Sequence, residues 1–251
     1  MTDRYIRQTL FEPIGSEGQL KLKKSKVAVI GAGGLGSVIS VSLARAGVGF
    51  LRIADNDSLD ITNLQRQLLY DENDLEKNSP KVFIAKDKLL KINSNTIIDA
   101  VNIRVTENNI LDIIEEMDIV LDGTDNFETR FIINEACIKK GIPWIFGTAA
   151  GSNGMVFNIF PKETPCLNCI FPEIPGKDYI QTSANAGILN TIVAAVGSIQ
   201  TTEALKYLTG NKSSMFKDLL FMDLWYSSYE FIKVAGPGNS CCSICGFKQV
   251  F

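Results

Sequence analysis

The sequence predicts an α/β fold with a doubly wound, mostly parallel sheet that is extended by antiparallel strands toward the C-terminus. Three observations support this fold class. Short apolar runs alternate with segments of helical spacing up to about residue 150, a glycine-rich turn joins the first apolar run to the first helix, and strand-like runs follow residue 151 without crossover helices. The chain of 251 residues can form one large domain, so we expect a single domain over residues 1–251.

The first part of the chain carries the alternating pattern. Residues 1–25 are polar with helical spacing and are expected to form an N-terminal arm. The strands predicted in this part are residues 27–30, 50–54, 96–105, 118–121 and 143–147, and the helices are residues 37–46, 107–116 and 128–140. Strands that alternate with helices in this way predict parallel neighbours joined by crossover helices.

The pattern changes after residue 151. Residues 155–160 and 219–234 are strand-like, and they are separated by a loop at 172–186 and a helix from about 187 to 208. Because these runs lack the regular crossover helices of the first part, we expect antiparallel strands that extend the sheet.

Composition restricts the classes of partner. The formal net charge of -3 gives no electrostatic case for nucleic acid or an anionic membrane as the main partner. Residues 1–10 lack the apolar core of a signal peptide, and the most apolar stretch, residues 186–208, is interrupted by polar residues. We therefore expect a cytoplasmic protein without a membrane span. The absence of histidine excludes Ser–His and Cys–His catalytic pairs and histidine-ligated metal sites.

A glycine-rich segment at residues 31–36 reads GAGGLG and fits the pattern G-x-G-x-x-G. It follows a predicted strand and precedes a predicted helix, where such glycines allow a tight turn and close approach of the backbone to phosphates. Asp55 ends the next strand, where a carboxylate accepts hydrogen bonds from ribose hydroxyls. The pattern predicts a nucleotide site. On this motif alone NAD or FAD is favoured over ATP, and a tight glycine turn without a ligand is the alternative.

Polar and basic residues follow the second predicted strand. Asn63, Gln65, Arg66 and Gln67 lie in one short segment, and Lys81 follows a Ser-Pro pair. A hydride-transfer enzyme has no special use for cations here, whereas an enzyme that attacks a nucleotide phosphate needs them to stabilise the charge that develops on the phosphates. The alternative is that Arg66 and Lys81 are solvated surface charges.

The segment DGTDN at residues 122–126 follows the predicted strand at 118–121. Ligands bind at the carboxyl ends of the strands in an open α/β sheet. Asp125 can therefore hold Mg²⁺ against a triphosphate, or it caps the helix that follows. The two roles are compatible, and Asp122 is expected to be the more structural of the pair.

Four cysteines form two C-x-x-C pairs, Cys166 with Cys169 and Cys242 with Cys245. Four thiolates are the ligand set of a structural zinc site, which leaves no open coordination position for catalysis. A redox role is less favoured because neither pair is predicted to begin a helix after a strand, while an iron–sulfur cluster has the same ligand count. Of the other cysteines, Cys241 can compete as a ligand, and Cys137 is expected to pack in the core.

In their order, these motifs resemble those of the MoeB/ThiF/HesA family, the bacterial relatives of ubiquitin-activating enzymes. The resemblance covers nearly the whole chain. The motifs that carry it are Arg-Tyr-x-Arg-Gln at residues 4–8, the glycine loop, Asp55, NLQRQ at 63–67, Pro80-Lys81, DGTDN at 122–126 and the two cysteine pairs. It implies a Rossmann-like fold with a structural zinc site. It also implies that ATP adenylates the C-terminal glycine of a ubiquitin-like sulfur-carrier protein, of the molybdopterin-synthase or thiazole-biosynthesis type, and that pyrophosphate is released.

The resemblance also implies roles for individual residues. The implied ATP-binding set is Gly31, Gly33, Gly34, Gly36, Asp55, Asp57, Asn63, Gln65, Arg66, Gln67, Lys81, Asp125 and Asn126. The implied catalytic set is Arg7, Arg66, Lys81 and Asp125, with Asp125 also positioning Mg²⁺. The implied Zn²⁺ ligands are Cys166, Cys169, Cys242 and Cys245. Residues 26–150 are then a nucleotide-binding half, and residues 151–251 a zinc-bearing, carrier-docking half.

Protein partners are implied in the same way. The carrier ends in Gly-Gly, a separate protein donates the sulfur, and Arg7 resembles an arginine that enters the site of the partner subunit, which implies a homodimer. Several relatives have a cysteine in the loop before the long C-terminal helix, where this chain has Ser183. We therefore expect adenylation without a covalent carrier intermediate on that loop, a pattern closer to MoeB than to ThiF.

Two alternatives remain open on the sequence. An NAD- or FAD-dependent oxidoreductase explains the glycine loop and Asp55 but gives no task to Arg66, Lys81 or the cysteine pairs. A non-catalytic nucleotide-binding scaffold that docks a partner through its zinc-bearing half explains binding without turnover.

Overall fold

A computed structural model describes residues 4–172, 187–234 and 242–246 of the chain. Within these residues, eight strands form one sheet. The strands are β1 (Lys26–Ile30), β2 (Phe50–Asp55), β3 (Ile97–Asn102), β4 (Ile119–Asp122), β5 (Trp144–Ala150), β6 (Asn153–Ile159), β7 (Leu219–Asp223) and β8 (Ser228–Ile232). Their order in the sheet is β3-β2-β1-β4-β5-β6-β7-β8.

The sheet is parallel over its first five strands and antiparallel beyond them. β1 pairs in parallel with β2 on one side and β4 on the other, so Val29 lies opposite both Ile53 and Leu121. β3 and β5 extend the parallel part, and β6, β7 and β8 each pair antiparallel with the preceding strand. The predicted mixed α/β sheet is confirmed. Because the strand order reverses at β1, a crevice opens at its carboxyl end.

Helices cover both faces of the sheet. They are α1 (Ile6–Thr9), α2 (Gly15–Lys24), α3 (Gly34–Ala46), α4 (Glu72–Leu75), α5 (Lys81–Ile92), α6 (Ile110–Ile113), α7 (Phe127–Lys140), α8 (Leu167–Ile170) and α9 (Asn190–Thr209). Val27 and Val29 of β1 belong to one hydrophobic core with α3, α5 and α9. Ala28 and Ile30 belong to a second core with α6, α7 and α8. Successive strand residues point to opposite faces, so β1 contributes to both cores.

Two helical segments differ from the sequence prediction. The helix predicted at 107–116 is reduced to α6, because the Asn109 side chain holds the preceding turn through the N–H of Thr106 and the carbonyl oxygen of Arg104. The prediction also lacks α5. Val82, Ala85 and Leu89 are buried on that helix at helical spacing, which is the signal that identifies it.

The C-terminal strand-like run, predicted at 219–234, is a hairpin of two strands. Oδ1 of Asp223 accepts hydrogen bonds from the N–H groups of Trp225 and Tyr226, and these bonds form the turn. The helix predicted from about 187 to 208 is α9, which buries the polar side chains of Gln200 and Glu203. In the described part of the chain, no helix has both the length and the apolar character needed to cross a membrane. The division into two functional halves stays a prediction.

Candidate active site and metal centre

A cavity of about 550 Å³ opens at the carboxyl ends of the parallel strands. Its walls come from the segments that follow β1, β2, β3 and β4 and from the beginnings of α7 and α9. It lies where the strand order reverses, the usual position of ligands in open α/β sheets. The predicted site residues that line it are Gly31, Gly33, Gly34, Asp55, Asp57, Asn63, Arg66, Gln67, Lys81, Asp125 and Asn126.

The glycine loop turns sharply between β1 and α3. Gly31 has a φ of 96°, a left-handed conformation that other residues rarely adopt. A Cβ atom on Gly36 would overlap the carbonyl oxygen of Gly31. Gly33 and Gly34 line the cavity at the start of α3, where the N–H groups of a first helical turn can bind an anion.

Asp55 holds the glycine loop from the end of β2. Its Oδ2 accepts a hydrogen bond from the N–H of Ala32 at 2.7 Å, and its Oδ1 accepts one from the N–H of Asp57 at 2.7 Å. Burial raises the pKa of Asp55, and these two donors oppose the increase. Each carboxylate oxygen can accept a second hydrogen bond. Asp55 can therefore support the glycine loop and bind a ribose hydroxyl at the same time.

Two cations lie in the wall beyond β2. Lys81 begins α5 with its side chain only 5% exposed, and its Nζ lies 3.2 Å from Oδ2 of Asp57. Arg66 is half-buried, and its Nη1 donates a hydrogen bond to the carbonyl oxygen of Thr62 at 3.0 Å. Both side chains keep further N–H donors beyond these contacts. This wall can therefore bind phosphate oxygens.

Gln67 contributes a buried amide to the same cavity. Its Oε1 atom has no hydrogen-bond partner among the described residues. Its Nε2 lies beside the glycine loop, 3.7 Å from the point that a Cβ atom would occupy if Gly33 carried a side chain. A buried polar atom without a partner costs about 1–3 kcal/mol. A bound molecule with a hydrogen-bond donor near the glycine loop would satisfy it.

A buried ion pair supports the loop after β4. Oδ2 of Asp122 accepts a hydrogen bond from Nε of Arg130 at 3.0 Å, and Oδ1 accepts one from the N–H of Thr124 at 2.9 Å. Burial raises the pKa of Asp122, and the charge of Arg130 opposes the increase. Asp122 is structural, as the sequence predicts. Arg130 also lines the cavity, and it is a residue that the sequence prediction lacks.

Asp125 is exposed on the cavity wall, two residues before α7 begins. The cap of α7 is its neighbour Asn126, whose Oδ1 accepts a hydrogen bond from the N–H of Thr129 at 2.9 Å. The alternative that Asp125 caps this helix is therefore wrong. The Asp125 side chain accepts a long hydrogen bond at Oδ1 from Nδ2 of Asn126, at 3.4 Å. Its Mg²⁺ role stays a prediction.

Three predicted residues do not line this cavity in the described part of the chain. Gly36 lies behind the glycine loop and packs on Gly31. Gln65 donates a hydrogen bond from Nε2 to the carbonyl oxygen of Ile188 at 3.1 Å and so acts on a lining residue. Arg7 is exposed in α1, and its insertion into a partner subunit stays a prediction.

Two groups of residues in the cavity wall are missing from the sequence prediction. Residues 103–105 follow β3, and Thr148, Ala149 and Val193 come from β5 and α9. In the sheet order these two groups lie at opposite ends of the crevice. Their position beyond or at the end of a strand is the signal that identifies residues 103–105, Thr148 and Ala149, since no motif contains them.

The four cysteines of the two C-x-x-C pairs come together in space. All four Sγ atoms lie within 4.8 Å of one another. The Sγ–Sγ distances are 3.8 Å between Cys166 and Cys242 and 3.7 Å between Cys169 and Cys245. A tetrahedral site with Zn–S bonds of about 2.3 Å has S–S edges of about 3.8 Å. The cluster therefore fits zinc.

The first cysteine pair lies on a short helix. Cys166 is the N-cap of α8, a helix of four residues, and residues 160–165 separate it from the end of β6. The convergence of the second pair on the first favours a metal site over a redox role. A hydrogen bond from Cys169 lowers the pKa of Cys166 below its ordinary value. Cys137 is fully buried in the core, as predicted. Cys241 and Ser183 lie outside the described residues.

Comparison with known proteins gives one family and several relatives. The family model of the ThiF family matches residues 5–244. The sulfur carrier protein ThiS adenylyltransferase of Bacillus subtilis (strain 168) is 42% identical over 249 residues, which are 99% of this chain and 73% of the relative. The adenylyltransferase and sulfurtransferase MOCS3 of Culex quinquefasciatus is 38% identical over 95% of this chain, which spans 54% of that longer relative.

Solved structures share the fold. The crystal structure of E. coli MccB with ATP aligns over 98% of this chain and 75% of that chain, with a TM-score of 0.84 and 23% sequence identity. At this identity the similarity establishes the architecture of the sheet and its helices and nothing further.

Proposed function

Because the chain belongs to the ThiF family, we propose that it uses ATP to adenylate the C-terminal carboxylate of a ubiquitin-like sulfur-carrier protein. The observation that carries this proposal is the convergence of Asp55, Arg66, Lys81 and Asp125 on one cavity with the glycine loop. The Bacillus subtilis relative is named for the adenylation of a sulfur carrier. We infer the same class of substrate for this chain.

The proposed reaction joins the carrier carboxylate to the α-phosphate of ATP. A carboxylate oxygen attacks the α-phosphorus, the bond from this phosphorus to the bridging oxygen breaks, and pyrophosphate leaves with the electron pair. The product is an acyl-adenylate, from which AMP is a far better leaving group than the oxide of a free carboxylate. The attacking carboxylate is already ionised at neutral pH. The step therefore needs no general base, which suits a chain without histidine.

Charge stabilisation is the main task of the protein in this step. Negative charge builds up on the phosphate oxygens as the bond to pyrophosphate breaks, and donors already in place stabilise it. Arg66 offers a planar guanidinium and Lys81 an ammonium to these oxygens. Lys81 uses one N–H for Asp57 and has two more. Asp55 orients the ribose and holds the glycine loop in the same position.

Asp125 is proposed to bind Mg²⁺ together with phosphate oxygens. Mg²⁺ is commonly held by one or two carboxylates and the phosphates of a substrate, and the exposed carboxylate of Asp125 lies in the same cavity as Arg66 and Lys81. When bound, the ion neutralises part of the phosphate charge. Asn126 caps the N-terminus of α7 and thereby fixes the backbone beside Asp125.

The carrier tail is proposed to enter from the β5 end of the cavity. Asp55 and residues 103–105 lie at the other end and suit the nucleoside. Thr148, Ala149 and Val193 at the β5 end are small or apolar and carry no charge. A chain that ends in Gly-Gly is narrow enough to lie along such a wall.

Zinc, the dimer and the sulfur source complete the proposal. Zn²⁺ would be held by Cys166, Cys169, Cys242 and Cys245, and its structural role is to fasten the C-terminal segment to α8. Arg7 is proposed to reach the site of a partner subunit in a homodimer. Because Ser183 replaces a cysteine seen in several relatives of this family, a separate protein is proposed to deliver the sulfur.

The test is ATP–pyrophosphate exchange with purified Gly-Gly-ended carrier proteins added one at a time. We expect exchange that requires Mg²⁺ and a single carrier. A carrier variant without its last glycine is the matched control and should support no exchange. If folded, metal-loaded protein exchanges with none of the carriers but binds ATP, the carrier assignment is wrong. If it binds NAD or FAD and not ATP, the oxidoreductase alternative replaces it.

A further inference from the structure

α7 connects the nucleotide cavity with the cysteine cluster. It begins at Phe127, directly after Asp125 and Asn126 in the cavity wall. Two of its buried polar residues, Arg130 and Asn134, are four residues apart and so lie on the same face. The first contacts the loop that carries Asp125, and the second contacts the segment that carries the first cysteine pair.

Arg130 makes three hydrogen bonds, which join the end of β4, the loop after it and β5. Its Nε donates a hydrogen bond to Oδ2 of Asp122, and its Nη2 donates to the carbonyl oxygens of Thr124 at 2.8 Å and Gly147 at 3.3 Å. Thr124 directly precedes Asp125. A displacement of the guanidinium would therefore move the backbone that carries Asp125. A planar fork can serve these acceptors together, whereas an ammonium cannot reproduce its geometry.

Aromatic rings hold this guanidinium in place. Cζ of Arg130 lies 5.2 Å from the ring centroid of Phe127 and 5.6 Å from that of Phe146. Phe171 contacts both rings edge-on, with centroid distances of 5.1 Å and 6.2 Å. Phe171 directly follows α8, and its N–H donates to the carbonyl oxygen of Leu167. The ring that packs on both neighbours of Arg130 thus belongs to the cysteine-bearing segment.

Asn134 attaches the same segment to α7. Its Oδ1 accepts a hydrogen bond from the N–H of Leu167 at 3.0 Å, and its Nδ2 donates to Oδ1 of Asn168 at 2.8 Å. Leu167 and Asn168 are the two residues between the cysteines of the first pair. Two hydrogen bonds of Asn134 and the ring contacts of Phe171 therefore connect the first cysteine pair to α7 and its surroundings.

We propose that Arg130 is a positioning residue for Asp125, and that the cysteine-bearing segment sets the place of its guanidinium through Phe171. Metal in the cysteine cluster and nucleotide in the cavity are then coupled, and each strengthens the binding of the other by the same factor. The inference rests on the proposed function only in requiring that the cavity binds ATP. It involves no carrier protein, so the two proposals can fail separately.

The test measures the zinc affinity of the zinc-loaded protein with and without nucleotide. A graded series of the chelator 4-(2-pyridylazo)resorcinol competes for the zinc at equilibrium, in the presence or absence of a saturating non-hydrolysable ATP analogue with Mg²⁺. We expect the analogue to tighten zinc binding at least about 5-fold, the lower end of typical coupling. Calorimetric titration of the same protein gives the dissociation constant of the analogue.

Phe171→Leu separates coupling from folding. Leucine keeps apolar volume beside the other two rings but removes both edge-on contacts. We expect the variant to bind zinc and analogue while the effect of the analogue on zinc affinity disappears. Phe216→Leu is the matched control, because Phe216 is also half-buried and packs on one ring, that of Phe231, at 5.7 Å. It should keep the coupling of the unmodified protein.

Arg130→Lys tests the positioning role. Lysine keeps a positive charge opposite Asp122 but loses the fork, so we expect the dissociation constant of the analogue to rise about 10-fold and the coupling to be lost. Arg52→Lys is the matched control. Arg52 donates to the carboxylate of Asp99 at 2.7 Å and lies 5.7 Å from the ring centroid of Phe50, but it does not line the cavity.

Each contrary outcome has a defined meaning. Equal zinc affinity with and without bound analogue in the unmodified protein overturns the inference and leaves the proposed function in place. Coupling that persists unchanged in Phe171→Leu or in Arg130→Lys overturns the assigned route. Failure of the folded, zinc-loaded protein to bind the analogue at all overturns both proposals.

Discussion

The Nζ atom of Lys81 lies 3.2 Å from Oδ2 of Asp57, with the lysine side chain buried and the carboxylate largely exposed. The N–H of Lys81 also donates a hydrogen bond to the carbonyl oxygen of Asp57. These two contacts fix the ammonium at the cavity wall. They leave it free to use its remaining hydrogens for phosphate oxygens.

Lys81→Met is expected to lower the rate of carrier-dependent pyrophosphate exchange about 10²–10³-fold, because a donor to the developing phosphate charge is lost. Methionine keeps most of the side-chain volume, so the fold should persist. Lys26→Met removes a more exposed lysine, which pairs with Glu116 at 2.9 Å outside the cavity, and should leave exchange unchanged. Equal exchange in both variants would remove Lys81 from the proposed mechanism.

Asp125→Asn is expected to abolish Mg²⁺-dependent exchange while the melting temperature stays within about 2 °C of the unmodified protein. The side chain is exposed and does not cap α7, so the fold should not depend on its charge, and the expected loss of exchange reflects the proposed binding of Mg²⁺. Asp87→Asn on α5 is the control, since Asp87 is also exposed and does not line the cavity. Retained exchange with an unchanged Mg²⁺ requirement would contradict the assignment.

Local motifs made part of this site predictable from sequence. Gly31, Gly36 and Asp55 belong to one strand–helix–strand unit, whose geometry fixes how they meet. The cysteine pairs are distant in sequence, yet two C-x-x-C pairs in one chain have few common uses, and their meeting at Sγ distances of 3.7 and 3.8 Å agrees with the metal-site prediction.

The rest of the site depends on tertiary contacts that no sequence motif encodes. Asp125 and Asn126 are both good helix caps, and only the observed hydrogen bond identifies Asn126 as the cap. Gln65 belongs to the same sequence motif as Arg66 but donates to the carbonyl oxygen of Ile188, a contact between distant segments. Arg130 resembles any surface arginine of a helix until the fold places it at the buried Asp122.

Cys169→Ser is expected to reduce the bound metal and to lower the melting temperature by roughly 5–10 °C, because a four-ligand structural site loses one ligand. Metal analysis by mass spectrometry and thermal unfolding measure the two effects, and the analysis also distinguishes zinc from iron. Cys137→Ala is the contrasting control. Cys137 is fully buried and is not one of the four cysteines that converge, so this variant should lose stability but keep its metal. Unchanged metal content and stability in Cys169→Ser would remove the metal site.

Gly36→Ala tests whether the close approach inside the glycine loop is required for nucleotide binding. A Cβ atom at this position would overlap the carbonyl oxygen of Gly31, so the loop must shift away from the position in which Gly33 and Gly34 line the cavity. We expect the dissociation constant of a non-hydrolysable ATP analogue, measured by calorimetry, to rise at least about 10-fold, a loss of about 1.4 kcal/mol.

Gly141→Ala supplies the comparison that isolates this effect. Gly141 ends α7 with a φ of 72°, and a Cβ atom there would meet no atom within 4 Å. The substitution therefore adds backbone strain of about 1 kcal/mol without crowding. Both variants should unfold at a lower temperature, but only Gly36→Ala should bind the analogue more weakly. If both variants bind the analogue with the affinity of the unmodified protein, the glycine loop tolerates the added Cβ atom. Nucleotide binding then does not depend on the close approach of Gly36 to Gly31.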